Sequence, residues 1–349
     1  MEPTALAPLA PLAPLDPLDL KLLHALQLDG RAPFSRIAQV LGVSDQTVAR
    51  RYRRLHTSAR LRVLGVTDEN RLGRSSWIVR LRCTPDTAER LAGALALRPD
   101  TSWVTLNSGG TEVTCTMKPR DREARDKLLL DRLQRTPRVM SVSAHCVLHF
   151  FYGGALGWLN KSAALSPAEE AALRPPPVET VSGPVTLDAE DEALLTVLGR
   201  DGRATLTELQ TATGQPESTV KRRLERLRSS GVLYFDVQHD FEPLGHEMDA
   251  LLWLTVTPAA LASVGEALAG HPEVQFAAAT TGRANLVAAT LHRSGAELYA
   301  YLSEKIGALE GVQSVETVLT LRRVKQLSYE PLTSGTGSST AGASEGRRR

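Results

Sequence analysis

The sequence predicts an α+β chain in which the same pair of modules, a three-helix module followed by a β-α-β-β-α-β module, occurs twice. The segment that begins at Leu15 returns at Leu187, and 19 of the 47 positions from Leu15 to Leu61 are identical at this offset. Chance would give about 6% identity. Each copy starts with apolar residues at helical spacing and continues with segments that alternate as strands do.

The correspondence between the copies extends well beyond their first helix. The quartet Asp29-Gly30-Arg31-Ala32 returns as Asp201-Gly202-Arg203-Ala204, and Gly109 has its counterpart at Gly282. A stretch rich in Gly and Pro, from Gly153 to Pro184, separates the copies and predicts a linker. Inside it, Ser166-Pro167-Ala168-Glu169 predicts a capping box and one short helix.

Composition excludes several classes of protein. The chain has 349 residues, of which 42% are hydrophobic and 23% charged, and a formal net charge of +2. It contains no apolar run of about 18 residues and no basic segment typical of a signal peptide, so we expect a cytoplasmic protein without membrane association. Its three cysteines form no CxxC pair, which predicts neither disulfides nor a zinc site and no cofactor.

The first module of each copy predicts a helix-turn-helix. In the first copy Asp16 caps a helix over residues 17–28, a second helix follows from Ser35, Gly42 makes the turn, and Ser44 caps a third helix. Residues 60–66 then predict a short extended wing. In the second copy the cap is replaced by Pro216, which suits the first position inside a helix, so we expect a looser start to its third helix.

The third helix of each copy is rich in polar and basic residues that suit a DNA major groove. Short polar side chains near a helix N-terminus reach base edges, and guanidinium groups farther along reach guanine or phosphate. The predicted DNA-binding residues are Gln46, Thr47, Arg50, Arg51 and Arg54 in the first copy and Ser218, Thr219, Lys221, Arg222, Arg223 and Arg226 in the second. The alternative is that these residues form only a solvated basic face.

The second module of each copy predicts a ferredoxin-like β-α-β-β-α-β unit. In the first copy the predicted elements are the strand Trp77–Cys83, a helix from Pro85 to Leu95, strands Ser102–Leu106 and Glu112–Met117, a helix near 121–135 and a strand from Val139. In the second copy they are strand 250–256, helix 258–269, strands 274–280 and 285–291, helix 295–308 and strand 312–321.

These elements give the predicted domain boundaries. They are a disordered tail over 1–14, helix-turn-helix modules over 15–66 and 187–238, ferredoxin-like modules over 75–152 and 248–330, a linker over 153–186, and a disordered tail over 333–349.

The order and spacing of these motifs resemble the Lrp/AsnC (feast/famine) family of transcription regulators, in a tandem-duplicated form. The resemblance rests on the Leu-Asp-x-x-Asp start, the Asp-Gly-Arg-Ala segment, the glycine turn before Thr-Val-x-Arg-Arg and the glycine turn between the central strands. It implies that the helix-turn-helix modules bind promoter DNA and that the ferredoxin-like (RAM) modules pair their sheets. It also implies that a small effector, often an amino acid, binds near the loop between the central strands at a subunit interface.

Carried onto this chain, the effector-binding residues are Ser108, Gly109, Gly110, Thr111 and Glu112 in the first copy and Thr281, Gly282, Arg283, Ala284 and Asn285 in the second. Family members usually have an acidic residue where Glu112 and Asn285 stand, so the two loops need not bind the same ligand. The alternative is that these glycines serve only a tight connection between strands.

Because one chain contains two readers and two pairing modules, it is expected to act as an intramolecular pseudo-dimer and to form homo-oligomers. The readers differ, since Gln46 and Arg53 correspond to Ser218 and Glu225. We therefore expect an asymmetric operator rather than a strict palindrome, because the symmetry of a protein dimer is normally mirrored in its half-sites.

Enzyme functions find little support in the sequence. It lacks a phosphate-binding glycine loop and the HExxH, GxSxG and CxxC motifs, and the pair His145 and His149 lacks an evident third metal ligand. The sirohaem decarboxylases share the two-module plan and stay an alternative, as does a heteromeric partner that does not bind DNA. The sequence predicts a DNA-binding regulator that is not an enzyme.

Overall fold

The computed structural model describes residues 15–133, 135–177, 183–240 and 245–327. The predicted tails over 1–14 and 333–349 lie outside these residues, as does the end of the last predicted domain at 330. The helices are α1 (Pro17–Leu28), α2 (Phe34–Leu41), α3 (Asp45–Ser58), α4 (Pro85–Ala96), α5 (Arg122–Asp126), α6 (Pro167–Leu173), α7 (Ala189–Leu198), α8 (Leu206–Thr213), α9 (Glu217–Ser229), α10 (Leu261–Gly270) and α11 (Gly295–Ala300). The strands are β1 (Arg62–Thr67), β2 (Trp77–Cys83), β3 (Thr101–Asn107), β4 (Glu112–Met117), β5 (Val139–Tyr152), β6 (Leu233–Gln238), β7 (Met248–Val256), β8 (Val274–Thr280), β9 (Leu286–His292) and β10 (Val312–Lys325).

The helical part of the molecule consists of α1–α3 and α7–α9, each set followed by one strand. Helix α1 begins at a capping box formed by Asp16 and Asp19, and α7 begins at the equivalent box of Asp188 and Asp191. Strands β1 and β6, which are the wings, pair antiparallel with each other. The two sets of helices share one apolar core, which includes Leu26, Leu55, Leu194, Leu227 and Phe235.

The remaining eight strands form one closed sheet in the order β10-β3-β4-β2-β5-β8-β9-β7. Within it, β3-β4-β2-β5 and β8-β9-β7-β10 follow the same antiparallel order, which is that of a ferredoxin-like unit. Each unit contributes one 14-residue strand that reaches across to the other, because β5 pairs with β8 and β10 pairs with β3. Helices α4 and α10 cover the outer faces of the two units.

Most predicted elements are confirmed to within a few residues. The helix over 17–28 and the strands Trp77–Cys83, Glu112–Met117 and 274–280 have the predicted bounds. Between the halves, the predicted capping box of Ser166 and Glu169 and its short helix, α6, are confirmed. The sequence did not predict that Leu173 of this helix is fully buried against the helical core. Residues 178–182 of the predicted linker lie outside the described residues.

In the part of the chain that the structure describes, we find no helix with the length and apolar character needed to span a membrane.

Candidate nucleic-acid interface

Helix α3 presents an exposed stripe of long polar side chains. Gln46, Arg50 and Arg53, four and three residues apart, are exposed, whereas Val48 and Leu55 on the opposite face are buried. This spacing places the three side chains on one side of the helix. Arg53 was not among the residues predicted to bind DNA, although its spacing from Arg50 is a signal for it.

Helix α9 presents the corresponding stripe with different chemistry. Ser218, Arg222 and Glu225 are exposed, and Val220, Leu224 and Leu227 face the core. Lys221 is also exposed, but its ammonium lies 2.5 Å from the carboxylate of Glu217 one turn earlier. The second stripe therefore carries one arginine and one carboxylate where the first carries two arginines.

The other predicted arginines of α3 point back to the start of α1. Arg51 Nη1 donates to Asp16 Oδ2 at 2.5 Å and to Asp19 Oδ1 at 2.8 Å, and Arg54 donates to the second oxygen of Asp19. Asp19 is fully buried, and the positive charges of these two guanidinium groups balance its negative charge. Arg54 keeps nearly half of its side chain exposed, whereas Arg51 is mostly covered.

The same arrangement occurs in the second half. Arg223 Nη1 donates to Asp188 at 2.6 Å and to Asp191 at 2.9 Å, and Arg226 Nη2 lies 2.5 Å from the other oxygen of Asp191. Hydrogen bonding from Arg223 lowers the pKa of Asp188 to about 2. Contact of all the predicted residues with bases or phosphates stays a prediction, but the geometry gives Arg51 and Arg223 a structural task that the sequence reasoning did not assign to them.

We expect the variant Arg51→Met to lower the free energy of unfolding by about 2 kcal/mol, because Asp19 loses a charge-assisted hydrogen bond in a buried position. Chemical denaturation monitored by circular dichroism measures the change. The matched control is Arg50→Met on the exposed side of the same helix, for which we expect a change within about 0.5 kcal/mol. Equal effects of the two substitutions would contradict the structural role of Arg51.

The two reading helices also start differently. Ser44 caps α3, its hydroxyl accepting from the Thr47 amide at 3.2 Å. At the start of α9, Pro216 occupies the capping position itself, one residue before the predicted place, and makes no side-chain cap. The looser start of α9 stays a prediction.

Installing the missing cap should therefore stabilise the second reader. We expect Pro216→Ser to slow amide hydrogen exchange at residues 218–220 and to raise stability by about 1 kcal/mol, the typical value of a serine cap. In contrast, Ser44→Ala should cost a similar amount at the start of α3. Unchanged exchange in both variants would show that these caps do not control the reading helices.

The predicted effector loop of the first half is an exposed turn with a neutralised acid beside it. Ser108, Gly109 and Gly110 have positive φ angles of 52°, 69° and 82°. Glu112 is 2% exposed, and Arg80 contacts both of its oxygens at 2.8 and 3.1 Å. Arg80 also binds Glu316 of β10, at 2.8 and 2.9 Å.

The equivalent loop of the second half packs against strand β5 of the first half. His145 Nδ1 lies 2.8 Å from the Thr281 carbonyl oxygen, and a Cβ on Gly282 would stand 2.5 Å from the same ring. The Asn285 amide binds the backbone of Val256 in both directions, at 2.9 and 2.8 Å. The acid in the first loop and the amide in the second are thus both held by neighbouring groups.

The sequence reasoning did not identify Arg80, which belongs to this loop region. Trp253 occupies the equivalent position in the second half, and the Arg80 guanidinium lies 4.8 Å from its ring centroid. A signal for Arg80 was present in the sequence. Strands β2 and β7 are otherwise similar at the offset of 173, but one has an arginine where the other has a tryptophan. Among the described residues, no group of three or more His, Cys, Asp or Glu side chains is placed to hold a metal, and His145 faces the loop.

Comparison with known proteins places these elements in a family. Residues 15–56 match the AsnC-type helix-turn-helix domain, residues 187–234 match a winged helix-turn-helix DNA-binding domain, and residues 249–329 match the Lrp/AsnC ligand binding domain. The HTH-type transcriptional regulator FL11 of Pyrococcus horikoshii is 33% identical over 149 residues, which are 42% of this chain and 98% of that protein. The HTH-type transcriptional regulator LrpA of the same organism is 26% identical over 140 residues, which are 40% of this chain and 99% of that protein.

Among solved structures, the siroheme decarboxylase NirDL is similar to this chain in fold. The TM-score is 0.59 at 17% identity, over 90% of this chain and 94% of that one. A sequence identity this low shows a shared fold alone. The two sequence relatives, in contrast, are transcriptional regulators by name, and the match covers nearly their whole length. The chain belongs to the Lrp/AsnC family of DNA-binding transcriptional regulators.

Proposed function

We propose that this chain is a tandem-duplicated Lrp/AsnC regulator in which one polypeptide forms a covalent pseudo-dimer with two unequal DNA readers. The observation that carries the proposal is a set of reciprocal hydrogen bonds between the two Asp-Gly-Arg-Ala segments. Arg31 donates to the carbonyl oxygens of Gly202 and Ala204 at 2.6 and 3.0 Å, and Arg203 donates to those of Gly30 and Ala32 at the same distances. A two-fold interface makes such mirrored contacts.

Two further observations support the pseudo-dimer. The wings β1 and β6 pair with each other, and the closed sheet is completed by the mirrored pairs β5 with β8 and β10 with β3. Arg203 also lies over the ring of Phe34, 4.4 Å from its centroid, and Arg31 lies 5.8 Å from that of Phe235. The two readers are therefore held in one orientation by contacts that a pair of separate chains would otherwise supply.

We assign DNA recognition to the residues predicted from the sequence, with the division of labour that the geometry supports. The exposed side chains of Gln46, Arg50, Ser218 and Arg222 contact bases and phosphates, and Thr47 and Thr219 lie beside them. Arg54 and Arg226, nearly half exposed, and Lys221, more than half exposed, reach flanking phosphates. Arg51 and Arg223 hold the helices in place. Because Arg53 corresponds to Glu225, the two half-sites are expected to differ in sequence; a carboxylate can accept from cytosine N4.

For the effector, we propose that a small molecule such as an amino acid binds at Ser108, Gly109, Gly110, Thr111 and Glu112, whose turn is open to solvent. In the second half, Thr281, Gly282 and Arg283 are also exposed, but Thr281 and Gly282 contact His145 of β5 and Asn285 is held by the Val256 backbone. We therefore expect the first loop to bind more tightly. Further copies of the chain complete the site at an interface, and ligand binding shifts how the copies pair.

Genome-wide binding of the tagged protein, repeated with and without each amino acid, tests this function. We expect peaks at promoters, with unequal half-sites beneath them and occupancy that changes with one or a few amino acids. An absence of promoter peaks would contradict DNA regulation, and strictly palindromic sites would contradict the unequal readers.

A further inference from the structure

A cavity of about 410 Å³ lies between the closed sheet and the paired wings. Part of its sheet side is apolar: Leu251, Ala289 and Phe276 stand side by side on three neighbouring strands, with Ile78 and Phe150 nearby. The rest of the sheet side carries hydroxyl groups such as those of Thr114 and Thr116. The volume is within the range of small-molecule sites, which are mostly apolar with a few polar groups. None of the residues of the two predicted effector loops lines it.

The opposite end of the cavity carries charged groups. Lys118 follows β4, and Tyr234 and Asp236 come from the wing strand β6. Burial lowers the pKa of Lys118 and raises the pKa of Asp236 to about 6, and each group partly offsets the shift of the other. The Asp236 carboxylate accepts from Gln27 Nε2 at 3.0 Å and from the Val237 amide at 2.8 Å. Lys118, in contrast, has no carboxylate within 4 Å among the residues that the structure describes.

The other charged groups that line the cavity already have partners. Arg323 binds Asp249 at 2.6 Å. Glu69 accepts from the Thr67 hydroxyl at 2.7 Å and lies 3.9 Å from Arg74, and Asp68 accepts from a backbone amide. Burial lowers the pKa of His239 to about 4, so its imidazole is neutral near pH 7. Lys118 is thus the cation that a ligand can meet with least competition. Asp236 faces the same end of the cavity, and among the described residues both of its hydrogen bonds go to Oδ1, so its second oxygen can meet a ligand.

We propose that this cavity binds a zwitterion with a large apolar part, of the class of the aromatic α-amino acids. The ligand's carboxylate would be met by the Lys118 ammonium and its own ammonium by Asp236, while the ring packs on Ala289, Leu251 and Phe276. A zwitterion suits the site because it adds no net charge to an enclosure that already holds several carboxylates. This site is separate from the effector loops, and its occupancy can be measured without DNA.

Isothermal titration calorimetry of the full chain with three matched probes tests the proposal. L-tryptophan has both charges, indole-3-propionate lacks the ammonium, and tryptamine lacks the carboxylate. We expect L-tryptophan to bind at least about ten-fold more tightly than either truncated probe, because each charge makes a charge-assisted hydrogen bond in a poorly solvated site.

Two variants assign the ends of the ligand. Lys118→Met should weaken L-tryptophan and indole-3-propionate about ten-fold and leave tryptamine unchanged. Asp236→Asn keeps the contact with Gln27 and should do the reverse, weakening L-tryptophan and tryptamine. The matched control is Lys127→Met, an exposed lysine of the first half, which should change nothing.

A third variant tests the place of binding without touching either charge. Ala289→Phe fills the apolar wall and should weaken all three probes, with the fold checked by near-ultraviolet circular dichroism. No binding of L-tryptophan to the wild-type chain would overturn the proposal. Binding that survives Lys118→Met and Ala289→Phe but is lost in Glu112→Gln would also overturn it, and would assign the ligand to the loop instead.

Discussion

The double variant Arg50→Ala, Arg222→Ala is expected to weaken DNA binding at every sequence and to flatten its salt dependence. Each phosphate contact contributes about 0.9 to the slope of log K against log salt concentration, so losing two should reduce the slope by about 1.8. We choose these arginines because both are exposed on the reading face and are not engaged by the acids that hold Arg51 and Arg223. Fluorescence anisotropy across a salt series measures the slope.

The control for this experiment is Arg122→Ala, which removes an equally charged and exposed side chain from α5, an element that is not part of either reading helix. It should leave the slope unchanged. If the double variant and the control had the same slope, the reading helices would not carry the phosphate contacts. The single variants Arg50→Ala and Arg222→Ala leave different charges on the two reading helices. Arg53 still supplies a positive charge to the first reader, whereas the second has Glu225 at the equivalent position.

The double variant Arg31→Ala, Arg203→Ala is expected to loosen the contact between the two readers. It removes four hydrogen bonds from guanidinium groups to backbone carbonyls in partly buried positions. We expect a loss of about 3 kcal/mol in the free energy of unfolding, because hydrogen bonds to charged groups are among the stronger ones. Scanning calorimetry measures the stability, and hydrogen exchange at β1 and β6 reports on the wings.

Arg200→Ala is the matched control, because Arg200 is exposed and adjacent to the same segment. It should change stability by no more than about 0.5 kcal/mol. Replacement by lysine at positions 31 and 203 should recover little, since an ammonium cannot reproduce the planar, two-pronged contact. Wild-type stability and exchange in the double alanine variant would contradict the interlock.

Much of the fold was predictable because its signals are local. Capping boxes, helical spacing and strand alternation mark elements such as α1 and β2 within a few residues of sequence. The closed sheet was not predictable in this way, because it depends on pairing between β5 and β8, which are more than 100 residues apart. The cavity follows from that closure and from the wings, so no local pattern indicated it.

The reading face was predicted only in part, for a physical reason. Consecutive arginines on a helix point in different directions, and the sequence does not show which of them meets a carboxylate elsewhere. The sequence did contain a signal for these ion pairs. Both aspartates of the Leu-Asp-x-x-Asp start and both arginines, Arg51 and Arg54, recur 172 residues later in the second copy. The partners of Arg31 and Arg203 are backbone carbonyls, which leave no trace in the sequence.

The mass of the complex with a DNA fragment that carries one complete operator tests the central proposal most directly. Native mass spectrometry or sedimentation gives the number of chains per fragment. We predict that the two half-sites of each operator are bound by one chain, with Arg50→Ala weakening protection of one half-site and Arg222→Ala of the other. Two chains on one operator, each using the same reader, would contradict the covalent pseudo-dimer.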